Sequence, residues 1–202
     1  MHGVGDVRFF DRLARLYDLV MPAADPVGLS DAFDLANVPV RRVLDVAGGS
    51  GRASLAIANR PDVERSIVVD VSAGMLDRAF DRGLAAIRGD ARELPVGSDA
   101  VDAAMIVDAL HHVPDRDAAL AEMYRAIRPG GVAVIREFDP SHPLGRLLAV
   151  GESVLGMGST FVARDELLAA LKASGFDPVL LEEGFVYTAV GRVPTDVDDT
   201  DA

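Results

Sequence analysis

The segment Asp45-Val46-Ala47-Gly48-Gly49-Ser50-Gly51 constrains this chain more than any other. It joins a short apolar run, Val43–Ala47, to a helical stretch from about Arg52 to Asn59. Small residues at a strand-to-helix turn let the backbone come close to a ligand, and the helix start offers N–H groups to it. Two common versions of such a turn fail on spacing. The dinucleotide fingerprint G-x-G-x-x-G, counted from Gly49, meets Ser54 where its third glycine belongs. The phosphate loop needs a Gly-Lys pair, and the chain has none. The pattern that does fit is D-x-G-x-G-x-G, with Ala47 at the first glycine position.

The same alternation continues along the chain. Apolar runs at Ile67–Val71, Leu84–Arg88, Val101–Val107 and Val132–Glu137 read as strands. Between them lie helical stretches at about Ala73–Arg82 and Asp117–Ile127, the latter with Ala118, Leu120, Met123 and Ile127 turned inward and followed by a Pro129-Gly130-Gly131 turn. Strands apolar on both faces and separated by helices predict a parallel sheet covered on both sides, a Rossmann-like, doubly wound α/β fold. A helix at about Arg164–Ala173 then precedes two runs, Pro178–Glu182 and Phe185–Val190, with a turn at Glu183-Gly184. That hairpin predicts an antiparallel strand at the end of the sheet. Residues 1–40 read as an N-terminal helical cap: Phe9, Leu13, Leu16 and Val20 repeat at helical spacing, Pro22 and Pro26 close that helix, and a shorter one follows at about Val27–Ala36. Residues 41–193 form the main domain, and residues 194–202 an acidic, disordered tail.

Acidic residues stand at consecutive strand ends. Asp45 either holds the loop by accepting backbone N–H groups or touches the ligand. Asp70 ends the second strand about 25 residues later, where a carboxylate accepts both hydroxyls of a ribose. The helix N-cap that Asp70 would otherwise supply falls to Ser72. Asp90 follows the third strand in Gly89-Asp90-Ala91.

Composition narrows the function further. The net charge is −12, all basic residues but Lys172 are arginines or histidines, and aspartates outnumber glutamates threefold. Such a surface repels phosphate backbones, so nucleic acid is not the expected partner. It also matches a salt-adapted, halophile-like proteome, with a GC-rich genome as the plainer explanation. The chain has no cysteine, hence no disulfide or thiolate nucleophile. No apolar run reaches membrane-spanning length and no secretory leader is evident, so a cytoplasmic enzyme without stable membrane insertion is expected.

The motifs Val43–Arg52, Val68–Leu76, Gly89–Pro95, Asp108–Val113 and Arg128–Pro140 resemble those of the class I S-adenosylmethionine-dependent methyltransferases. The nearest group is the ubiquinone and menaquinone biosynthesis methyltransferases with their small-molecule relatives. Phe10–Val20, the Asp45-Val46-Ala47 form of the first motif and Glu137-Phe138 are similar to the quinone enzymes. The resemblance implies a seven-stranded sheet, S-adenosylmethionine as cofactor, S-adenosylhomocysteine as product, and a small-molecule methyl acceptor, with a homodimer allowed. It implies a cofactor site of Asp45, Ala47, Gly48, Gly49, Gly51, Asp70, Val71, Met75, Asp90, Ala91 and Asp108, with Asp45 near the methionine portion and Asp90 at the adenine amino group. Asp108-Ala109-Leu110-His111-His112-Val113 departs from the quinone pattern and follows a general small-molecule one. It also lacks the Asn/Asp-Pro-Pro-aromatic segment of base methyltransferases.

On the acceptor side, His111 and His112 lie just past the fourth strand, where a neutral imidazole can act as a general base. Otherwise one caps the loop while the other contacts the cofactor or the helix below. Glu137 ends the fifth strand and either meets a substrate hydroxyl, as a third catalytic candidate, or pairs with Arg136 or a neighbouring arginine. Tyr17, Asp139 and His142 are candidate substrate contacts. Adjacent histidines do not converge on one ion, so no metal is expected. A regulator or partner subunit that binds the cofactor without catalysis is the competing reading.

Overall fold

The computed structural model describes residues 26–146 and 160–195. The expected helix over Phe9–Val20, the candidate Tyr17 and most of the acidic tail lie outside those residues. The described elements are α1 (Pro26–Phe33), β1 (Arg42–Val46), α2 (Arg52–Ile57), β2 (Arg65–Asp70), α3 (Ala73–Asp81), β3 (Ala85–Arg88) and β4 (Val101–Val107). A 3-10 turn follows at Leu110–His112, then α4 (Arg116–Ala126), β5 (Ile127–Phe138), α5 (Arg164–Ala173), β6 (Asp177–Glu182) and β7 (Val186–Arg192).

The strands make one seven-stranded sheet in the order β3-β2-β1-β4-β5-β7-β6. The five strands from β3 to β5 pair in parallel, whereas β7 is antiparallel to both β5 and β6. This is the doubly wound sheet with an antiparallel C-terminal hairpin that the strand pattern predicts. The hairpin doubles back so that the later strand lies inside and β6 takes the edge. Burial explains the choice: Tyr187 to Gly191 of β7 are all buried, while no residue of β6 is.

Side chains alternate between two cores, as a period of two requires. Leu44, Val46, Ala104, Ile106, Ala133 and Ile135 face α4 and α5, meeting Leu120, Met123, Leu167 and Leu171. Val43, Ala103, Met105, Val132 and Val134 face the other way, onto Leu29 and Phe33 of α1 and Ala53 and Ile57 of α2. The residues just before β1 therefore pack into the same core as the sheet. No helix among the described residues is long and apolar enough to cross a membrane.

Several boundaries differ from the sequence expectation. The α4 helix starts at Arg116, capped by the Asp115 side chain, and buries Ala119, Leu120, Met123 and Ala126. Ala119 thus replaces Ala118 on the inner face, since the helix register is set by spacings of one, four and seven. Ile127 opens β5 instead of closing the helix. The Pro129-Gly130-Gly131 segment is a bulge within that strand, where pairing jumps from Val101↔Ile127 to Ala103↔Val132. The helix before β1 ends at Phe33, not Ala36, β3 begins at Ala85, and β7 runs on to Arg192.

Candidate functional site

The glycine-rich turn lies between β1 and α2. Its backbone is left-handed at Ala47 (φ 53°), Gly49 (φ 56°) and Gly51 (φ 78°). Asp45 is fully buried beneath it and accepts from the Ser54 backbone N–H at 3.1 Å and from Ser54 Oγ at 2.8 Å. A Cβ on Gly48 would stand 2.4 Å from Asp45 Cγ, so the loop closes over the carboxylate only with glycine there. Burial pushes the Asp45 carboxyl up to about 6, against the lowering effect of the Ser54 bonds. Arg82, from the end of α3, clamps the loop by donating Nη1 to the Ser50 carbonyl and hydroxyl, each at 2.8 Å.

Asp70 ends β2 directly opposite. One carboxylate oxygen accepts the Gly49 N–H at 2.9 Å and the other the Ser72 N–H at 2.8 Å. Ser72 caps α3 by accepting from Met75 N, the role its position predicts. A cleft runs along the carboxyl edge of the strands, walled by Ala47, Gly48, Gly49, Ser50, Arg52, Asp70, Met75, Val107, Asp108, Ala109 and His112. The expected residues Asp45, Gly51, Val71, Asp90 and Ala91 lie off that wall. Gly51 stands at the N-cap of α2, and Ala91 is packed in the core. Asp90 is gripped by Arg92 through its backbone N–H at 2.9 Å, Nε at 3.0 Å and Nη2 at 2.7 Å.

Asp108 follows β4 on the far wall with φ 53°. Its carboxylate stands between Arg52 at 3.8 Å and Arg136 at 3.7 Å. Burial raises its pKa, offset in part by those two arginines. The two histidines beyond it separate. His112 borders the cleft, and burial with its neighbour His111 lowers its pKa to about 3, leaving a neutral ring. His111 is 3 % exposed and its Nδ1 lies 2.8 Å from Glu137 Oε1, itself wholly buried. Among the described residues Glu137 therefore pairs with neither Arg136 nor another arginine, because its register on β5 turns it to the core face with Ile135, away from Arg136. Asp139 accepts from Ser141 N at 2.8 Å and Ser141 Oγ at 2.6 Å, closing the turn after β5. His142 stands beyond it, ring to ring with Phe185 at 5.8 Å. Among the described residues no cluster of histidines and acids could hold a metal.

Ser54, Arg82, Arg52 and Phe161 belong to this arrangement and were not singled out by the sequence. Arg52, directly after Gly51, was recoverable from its place at the helix start. Phe161, 50 residues from the His111 ring it stacks on at 4.4 Å, had no local signal. The cleft combines a carboxylate at the β2 end, apolar walls from Met75, Val107 and Ala109, and one arginine facing Asp108. That donor set fits an adenosine: a diol for Asp70 and a flat base for Met75, with Arg52 turned to Asp108.

Sheet order, hairpin and cleft together define a Rossmann-like nucleoside-binding protein of the methyltransferase type. The family described as "Methyltransferase domain" matches residues 44–135. The ubiquinone/menaquinone biosynthesis C-methyltransferase UbiE of Stenotrophomonas maltophilia is 37% identical over 151 residues, covering 67% of this chain and 58% of that protein. The 2-methyl-6-phytyl-1,4-hydroquinone methyltransferase 2 of rice is 32% identical, covering 75% of this chain and 44% of its own. This chain thus spans well under two thirds of the length of either relative. In structure, an S-adenosylmethionine-dependent methyltransferase from Thermotoga maritima superposes with a TM-score of 0.75 over 92% of this chain and 98% of that one, at 22% identity. The chain belongs to the class I S-adenosylmethionine-dependent methyltransferase family.

Proposed function

We propose that this chain transfers the methyl group of S-adenosylmethionine to a small organic acceptor, and that a quinone-precursor carbon is its most specific target. The observation that carries the first part is Asp70. Its carboxylate is fixed by the Gly49 and Ser72 N–H groups at the mouth of the cleft, where it would hold a ribose diol. Gly48 and Gly49 would lie along the amino-acid tail, and Met75 under the adenine. Asp90 would reach the adenine edge only with oxygens it shares with Arg92. Bound there, the cofactor supplies an electrophilic methyl on a sulfonium, and alignment with the acceptor supplies much of the rate. The second part is supported by the two quinone-type relatives and by a set of aromatic rings, Phe138, Phe161 and Phe185, around the end of β5. Residues of the Asp108–Val113 segment follow a broader small-molecule pattern, so the acceptor is tested apart from the cofactor.

Calorimetry with S-adenosylhomocysteine and, in parallel, NAD, at low and high salt tests the first part. Binding of the homocysteine product and no heat from NAD is the expected result. The reverse pattern would remove the cofactor assignment. Labelled S-adenosylmethionine with 1,4-naphthohydroquinone, kept reduced, tests the second: carbon-bound label in the ring supports it, and tight cofactor binding with no transfer favours a regulator.

A further inference from the structure

We propose that Arg136 recognises the methyl acceptor, its guanidinium binding an oxyanion of that molecule, a carboxylate or phenolate oxygen, beside Asp108. The proposal rests on the methyl-transfer reading above. Val132, Ala133, Val134 and Ile135 of β5 are buried and apolar, and Arg136 interrupts that run two residues before the strand ends. Strand alternation puts it on the face of Val132 and Val134, the one that packs on α1 and α2. Its register partner on β4 is Val107, and the Asp108 N–H donates to the Arg136 carbonyl at 2.9 Å. Val107 and Asp108 both line the cleft. Arg136 therefore stands at the carboxyl edge of the sheet, where open α/β folds bind ligands.

A guanidinium carries five N–H donors and is costly to bury unless they are used. Arg82 donates Nη1 to Ser50, and Arg125 gives Nε and Nη2 to Glu122 and Nη1 to the Val96 carbonyl. The Arg136 side chain is only 19 % exposed, yet its Nε is buried and has no partner among the described residues. Its ion pair, Nη1 to Asp108 Oδ1, spans 3.7 Å, beyond hydrogen-bond reach. Asp108 Oδ1 is buried and equally without a hydrogen bond, on a backbone held left-handed at φ 53°. A structural pair would close to hydrogen-bond length. A cation and a carboxylate held apart on a strained turn at a cleft wall are the parts of a ligand site.

The surrounding charges are engaged elsewhere. Glu137 turns to the opposite face and His111, and Glu182 of β6 accepts at 2.8 Å from Thr188, the Arg136 partner on β7. Arg52 meets the other Asp108 oxygen at 3.8 Å. The cofactor tail is assigned to Gly48 and Gly49 beyond β1, and β4 lies between β1 and β5. Two strand spacings put that tail about 10 Å from Arg136, so the oxyanion belongs to the acceptor. A cationic amine would be repelled there, whereas an anion gains from both the guanidinium and the sulfonium.

The test is calorimetry on the full chain saturated with S-adenosylhomocysteine, with flat bicyclic probes of one shape. These are 2-naphthoate, 2-naphthol above and below its own ionisation, and the cation 2-naphthylmethylammonium. At least one oxyanion is expected to bind about tenfold more tightly than the cation, and whether naphthoate or ionised naphthol wins tells a carboxylate from a phenolate. Arg136→Gln should lower that oxyanion affinity about tenfold and leave S-adenosylhomocysteine affinity unchanged. Arg136→Met, whose stem packs on the same apolar face, is the second variant and should show the same loss. Equal binding of anions and cation, or no binding of either oxyanion, overturns the site in the wild type alone. A variant that keeps its oxyanion affinity, or loses that for S-adenosylhomocysteine, overturns it as well. A wild type that binds no S-adenosylhomocysteine sinks the methyl-transfer reading, whereas one that binds it and prefers no oxyanion sinks only the role of Arg136.

Discussion

The two halves of the cleft are built on different principles. Around β1 to β3 the site is mostly backbone: the turn from Ala47 to Gly51, with Asp70 bonded to main-chain N–H groups 21 and 2 residues away. Around β4 and β5 it is mostly side chains, and the partners are remote. His111 meets Glu137 across 26 residues and Phe161 across 50. A backbone cradle tolerates little change and serves a constant ligand, while a side-chain wall can be rebuilt for a new one. This is what a shared cofactor and a variable acceptor would require.

The largest test of the contrast is Asp70→Ala. It removes the carboxylate from the backbone half and should weaken S-adenosylhomocysteine binding by about 2 to 3 kcal/mol in calorimetry, with the thermal transition still cooperative. Glu137→Gln should leave that affinity nearly unchanged. Equal losses in the two variants would erase the division.

The next concerns the buried support of the loop. Asp45 titrates near 6 in the fold against 3.8 ordinarily, so the folded protein holds more protons than the unfolded chain between those values. Stability should therefore fall as pH rises from about 4 to about 6, by on the order of 2 kcal/mol, and stay lower above. Urea denaturation of Asp45→Asn should lack this fall. A parallel decline in both proteins would place its origin elsewhere.

A smaller effect is expected at Ala47, which holds a left-handed backbone at a position where glycine is free of strain. Ala47→Gly should raise stability by up to about 1 kcal/mol, less the extra freedom gained by the unfolded chain. A clear loss of stability would mean that its methyl packs more than its φ costs. Smallest of all, Arg164→Ala breaks an exposed pair with Glu183 and should change the unfolding free energy by no more than about 0.5 kcal/mol.

The same contrast explains what was legible before folding. The strand and helix alternation, the failed dinucleotide and phosphate spacings, Ser72 as a cap and Asp70 as a strand-end carboxylate all follow from short-range pattern, because each depends on residues within one βα unit. Asp45 has two readings in the sequence, and its bonds to Ser54 beneath the loop are those of a support. Asp90 is expected from the resemblance at the adenine amino group, yet Arg92 two residues on takes both its oxygens. The expected inner face of α4 keeps Leu120 and Met123 and differs only at its ends, where Ala119 and Ala126 are buried in place of Ala118 and Ile127, the latter opening β5.

By itself, then, the chain's sequence determined a doubly wound sheet with a closing hairpin, and a glycine turn suited to a nucleoside without phosphates. Hydrophobic period and backbone conformation are local properties, readable in order along the chain. Only the tertiary structure decided that β7 lies inside β6, that His112 borders the cleft while His111 is locked to Glu137, and that Phe161 backs the ring. Those pairings join segments 26 to 50 residues apart, and the register of β4 against β5 selects which side chains meet.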